Sequence, residues 1–122
     1  MRTLVAQANL QAGRLLGDPG YFEVAERAAL SCLEIAAPKG YVYQLASYAR
    51  HGLGDGDGAL QHLDDSIARD LATIGVRIDR VRLLRELGRT DEAQRDLMRL
   101  QRDFPTDGRV LGLLQHLAAP SK

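Results

Sequence analysis

The chain has 122 residues, 45% of them apolar, which suits one domain with a continuous core. Lys and Arg total 16 and so do Asp and Glu, so the formal charge is zero and no global pull toward nucleic acid or an anionic membrane is expected. Cys32 is the only cysteine, which excludes an intrachain disulfide and a cysteine-built zinc cluster and points to a reducing, cytoplasmic setting.

Aromatic residues make up 5% and Trp is absent, while Leu, Ala and Arg dominate, a balance that favours helices. The opening run MRTLVAQANLQAGRLLGDPG lacks a signal-peptide core and any span of about 20 apolar residues, so a soluble, intracellular chain is expected. In that first segment Leu4, Ala8 and Leu15 share a helical face, which ends at GDPG, residues 17–20. Val24, Ala28 and Cys32 then step by four, with Ala25, Ala29 and Leu33 beside them, up to PKG at 38–40. A third segment runs to GLGDG at 52–56. Leu60, Leu63 and Ile67 mark a fourth helix, and Ile74, Ile78 and Val81 a fifth. Gly88, Pro105 and Gly108 set off the rest. The last segment carries the stripe Val110, Leu113, Leu114 and Leu117, with Thr106 or Asp107 placed as its N-cap. The reading is seven helices and no strand.

The turns repeat. Gly20, Gly54 and Gly88 are spaced by 34, and so are Ala25, Ala59 and Ala93. The acids Glu23, Asp57 and Asp91 keep that interval, as do Ala29, Leu63 and Leu97. The third copy, Ile74 to Pro105, contains LGRTDEA; the second keeps Tyr43 in its first helix; the first keeps GYFEVAERAALSCLEIAAP, with Pro38 one residue late. This pattern resembles the tetratricopeptide repeat family, whose unit is a helix–turn–helix. The resemblance implies an all-α, right-handed α-solenoid in one domain over 1–122. Its repeats would span about 6–38, 40–72 and 74–106, and a capping helix about 107–118 would cover the open edge. Glycine eases the left-handed turn, the acids favour the next helix start, and the alanines permit close approach. Two departures stand out: Arg77 replaces the usual aromatic, and Leu100 stands where Cys32 and Ser66 are small.

Some residues look chemical. A calcium loop begun at Asp55 would accept Asp57 at its third place. It fails at its sixth and twelfth, where Leu60 and Ser66 replace the required Gly and bidentate acid. The turn GLGDGDGAL is therefore read as a hinge, loosened by Gly52, Gly56 and Gly58. The acids nearest His62 in sequence, Asp64 and Asp65, point away from it on a helix, and His51 and His116 sit in no catalytic or zinc motif. Cys32 falls in a small-residue packing column and reads as an inert buried thiol. Of the arginines 77, 80, 82, 85 and 89, the last three gather on one side of a helix beside Asp79 and Glu86, as a solvated, paired face would. No catalytic residue, cofactor or metal is expected.

In the family, the first helices of successive repeats line a groove that holds a partner. The resemblance implies a column Arg14, Tyr48, Arg82, with Leu10, Gln44 and Ile78 beside it, Gln7 and Tyr41 nearer one edge, and Arg85 alongside Arg82. Arg forks and Tyr rings suit an extended peptide with acidic groups. The family's clamp for a C-terminal carboxylate is not expected, because the matching places hold Leu10, Arg14, Leu45, Gly75 and Asp79. The expected function is a non-enzymatic adaptor for another protein or peptide. The alternative is self-association through the Val110–Leu117 stripe, and contact with RNA through the arginine helix ranks third.

Overall fold

Helix boundaries follow the glycine and proline punctuation. The computed structural model describes residues 2–35, 40–69, 71 and 73–118, with backbone alone at 2, 33–35, 117 and 118. Among the described residues there are seven helices and no strand. They are α1 Arg2–Leu16, α2 Pro19–Ile35, α3 Gly40–Gly52, α4 Gly56–Ala68, α5 Ile74–Glu86, α6 Thr90–Asp103 and α7 Gly108–Ala118. None of them is long and apolar enough to cross a membrane. Pro38 lies outside the described residues.

Three links turn on a glycine with positive φ: Gly17 at 67°, Gly54 at 81° and Gly88 at 80°. The sequence column had Gly20 in place of Gly17. Gly20 instead lies in the first turn of α2, its N–H donating to Asp18 Oδ1 at 2.9 Å. The cause is Pro19, whose fixed φ and missing N–H suit a first helical position. It starts α2 one turn further ahead of Ala25 than α4 and α6 start ahead of Ala59 and Ala93. Glu23 is thereby moved into the second turn, while Asp57 and Asp91 stay in the first. At the other caps, Asp55 accepts from the Gly58 N–H at 2.8 Å, and Asp107 accepts from those of Arg109 at 2.8 Å and Val110 at 3.3 Å. Asp107, of the two candidates, is the cap of α7.

The chain divides into two compact units, Met1–Val76 and Arg77–Lys122. In the first, α1 packs on α2, α2 on α3 and α3 on α4, and α1 also meets α3. Its core joins Ala6, Leu10, Phe22, Ala25, Ala29, Val42, Leu45, Ala46 and Ala49. Five of these nine are alanines, so the backbones approach closely and little space is left for error. Phe22 is the large exception, and two glycines make room for it. A Cβ at Gly13 would stand 2.9 Å from the ring and one at Gly52 only 2.5 Å. Gly58 lies close against the Asp55 and Arg50 side chains, its Cβ position standing 2.8 Å from Arg50 Cγ. Gly52 and Gly58 therefore serve close packing, and the expectation that they loosen the turn is corrected.

The α1 stripe is also corrected. Leu4 is 62% exposed, Leu15 is 75% exposed and Ala8 is exposed too. The buried face is Ala6, Leu10 and Gly13, because the Phe22 ring needs the gap that Gly13 leaves. In α2 the fully buried pair is Ala25 and Ala29, while Val24 reaches solvent and Ala28 and Cys32 are half-buried. Cys32 Sγ contacts the Ala28 carbonyl oxygen at 3.5 Å. Leu60 and Leu63 are buried, but Ile67 is exposed.

The second unit holds the rest of α5 with α6 and α7. Val81, Leu84, Leu97, Leu100, Val110 and Leu113 are buried there. Of the stripe on α7, Val110 and Leu113 are core residues at 0% and 2% exposure, Leu114 is half-buried, and the Leu117 side chain lies outside the described residues. Arg77 lies over the Phe104 ring at 5.7 Å and pairs with Asp103 at 3.1 Å.

Candidate binding face and a buried charge cluster

Residues 34 apart on α1 and α3 meet in space. The Gln7 side-chain amide donates to the Tyr41 hydroxyl, and the Arg14 guanidinium lies 5.7 Å from the Tyr48 ring centre. Arg14 is exposed and Tyr41 is 43% exposed, while Tyr48 is half-buried, so the four form an outward-facing strip of polar and aromatic groups. Such a strip offers flat ring area, amide hydrogen bonding and one forked cation. Gln44 is half-buried, its amide filling the space where a Gly75 Cβ would be, 2.8 Å away.

The remaining expected groove residues fall elsewhere. Leu10 and Ile78, each 4% exposed, are core residues and present no surface. Leu10 lies on the Ala6–Gly13 face of α1, and Ile78 shares its side of α5 with Val81. Arg82 is exposed and Arg85 half-buried in the second unit, where they border a shallow depression with Glu86 and His116.

The strongest polar arrangement was not among the expected sites. Glu26 on α2 is 7% exposed and sits inside the first unit. Arg50, at the end of α3, grips it with both prongs: Nε donates to Oε2 at 2.7 Å and Nη2 to Oε1 at 2.5 Å. His62 on α4 places Nε2 2.9 Å from the same Oε2. Arg50 also lies 3.5 Å from Asp55, the α4 cap. One carboxylate therefore ties three helices together. Burial works against its charge, but the hydrogen bonds and positive fields of Arg50 and His62 outweigh that and hold the Glu26 carboxyl below its ordinary range. The same bond to Glu26 raises Arg50.

Sequence reasoning weighed His62 only against Asp64 and Asp65. The missed partner lies 36 residues back, and Arg50 lies 24 residues after that partner. One sequence signal could have marked the place. Glu26 falls between Phe22 and Ala29 on the apolar face of α2, and a charge on a buried stripe needs a mate.

Both carboxylate oxygens of Glu26 are occupied by Arg50 and His62. Asp55 and Asp57 in the GLGDGDGAL turn do not converge: Asp55 caps α4, and Asp57 is exposed in its first turn. Among the described residues, no group of three or more His, Cys, Asp or Glu side chains is placed to hold a metal ion. Compared with known proteins, the chain matches no family model and no curated protein.

Proposed function

We propose that the chain is a divergent array of three tetratricopeptide-type repeats plus a capping helix, acting as a non-catalytic interaction module in the cytoplasm. On this reading it is a right-handed solenoid whose first helices present a peptide or a partner helix with a preformed surface. The observation that carries the reading is the pairing of residues 34 apart: Gln7 with Tyr41, and Arg14 with Tyr48. A 34-residue unit would bring successive first helices side by side in this register. The small columns support it too, since Ala25, Ala59 and Ala93 are all buried.

The test is affinity capture from the native host with the wild-type chain and with Arg14→Glu/Tyr48→Ala, both checked for equal helicity. The reading expects specific proteins held by the wild type to be lost from the variant. An unchanged set of captured proteins would sink the assignment of this strip.

A further inference from the structure

Apart from an uncharged edge of Thr90, Gln94 and Gln101, the residues of α6 divide into three lengthwise strips. Ala93, Leu97 and Leu100 form the buried one. Glu92, Asp96 and Asp103 form the second, and their carboxylates are engaged by the unit's own arginines. Asp96 and Glu92 meet Arg80, Glu92 also meets Arg89 at 2.7 Å, and Asp103 meets Arg77 at 3.1 Å. The third strip faces water and carries Arg95, Arg99 and Arg102, with Met98 between Arg95 and Arg99 and one acid, Asp91, at its N-terminal end.

This outer strip is weakly neutralised. Arg95 has no ion pair among the described residues. Arg99 is 3.9 Å from Asp96, which Arg80 already holds, and Arg102 is 3.7 Å from its chain neighbour Asp103. The Arg99 and Arg102 side chains are 62% and 74% exposed, and Met98 is 61% exposed among them. Arg95 also stands between two shallow hollows, one beside Arg89 and Asp91, the other beside Arg80 and Arg99.

We infer that the outer strip of α6 is a docking ridge for an acidic amphipathic helix of a partner protein. Charge complementarity decides the sign of the occupant, because three guanidiniums outnumber the one acid of the strip, Asp91, and favour carboxylates. Spacing decides its form. The arginines lie about 6 Å and 4.5 Å apart along the axis, intervals that acids on one face of a facing helix reproduce. An extended strand brings same-side residues round every 6.8 Å or so and falls out of step by the third. Met98 decides against a phosphate backbone, which has no apolar group to cover an exposed thioether, whereas an amphipathic helix supplies a Leu or Met there. The ridge lies wholly within the second unit, so this inference stands apart from the α1–α3 reading.

The experiment uses the full chain and a fluorescein-labelled, helix-stapled peptide with Glu at i, i+3 and i+7 around Leu at i+4, the antiparallel complement of the ridge. A peptide of identical composition in scrambled order is the control. Fluorescence anisotropy is expected to show saturable binding that prefers the patterned peptide, weakens about tenfold in Arg95→Glu/Arg99→Glu, and weakens severalfold in Met98→Ser. These positions are exposed, so circular dichroism should be unchanged. Equal binding of the two peptides would overturn the inference. Tighter binding of a poly-uridine oligonucleotide, or self-association of the chain lost in the same variants, would also overturn it by naming a different occupant.

Discussion

In the first unit a single carboxylate, Glu26 at 7% exposure, draws Arg50 and His62 into a seam of three helices. In the second, Arg77 and Arg89 pair with acids of α6 along a partly exposed rim outside a core of Val and Leu, and only the Arg80–Asp96 pair is more shielded, at 18% and 22% side-chain exposure. The difference follows from core size. Alanine helices of the first unit leave little apolar area to bury, so a directed charge cluster fixes how α2, α3 and α4 meet. The larger aliphatic side chains of the second unit fix their own packing, and water shares the Arg77 and Arg89 pairs. Interior charge should therefore be costly to disturb and rim charge cheap.

The largest test of that contrast is Glu26→Ala. It strands Arg50 and His62 and should destabilise by about 3 kcal/mol, the low end for a broken buried pair because the Arg50 side chain is 35% exposed. The midpoint of urea unfolding measures it. The same group sets an acid limb. Its folded-state pKa lies below the ordinary 4.5, so its contribution is fully present above that value and is lost as pH falls through the lowered one. Urea midpoints followed downward from neutral pH should decline less steeply in Glu26→Gln. An equal decline would place the acid sensitivity on other carboxylates.

Next in size is Gly52→Ala, whose added methyl would stand 2.5 Å from the Phe22 ring. A loss of about 2 kcal/mol is expected, as for other overpacked cores. Phe22→Leu in the same chain should recover part of it, a coupling that a double-mutant cycle reads directly. Additive losses would remove the close fit from the account of the first unit.

Arg89→Ala should cost at most about 1 kcal/mol in thermal or urea unfolding, since its pair with Glu92 lies at the rim, with side chains 44% and 34% exposed. A loss as large as that of Glu26→Ala would erase the contrast between the units. Smallest is Tyr43→Phe. The Tyr43 hydroxyl is buried without a hydrogen-bond partner among the described residues. Removing it should change stability by less than about 0.5 kcal/mol or raise it slightly.

The positions of the helices were legible because Gly and Pro terminate them at intervals of roughly a helix length. The column Ala25, Ala59, Ala93 and the shared register of Arg14 and Tyr48 were legible through one fixed spacing, whereas the contacts of Gln7 with Tyr41 and of Arg14 with Tyr48 come from the fold. What spacing could not reveal was which of two helical faces turns inward. Leu4, Ala8 and Leu15 look more apolar than Ala6, Leu10 and Gly13, yet the smaller face is buried because it admits Phe22. The Glu26 cluster was hidden for a different reason. Its members share no local pattern, and three helices must fold before their side chains converge.

The Phe22 ring has one more consequence. It bears on Gly13 from α1 and on Gly52 from α3, so it works as a gauge of how far each helix is rotated about its axis. Turning α1 by one residue would put the Ala12 methyl or the Arg14 side chain under the ring. The alignment of Gln7 with Tyr41 and of Arg14 with Tyr48 is thus indexed from the interior, and an interior substitution there would be read out on the surface.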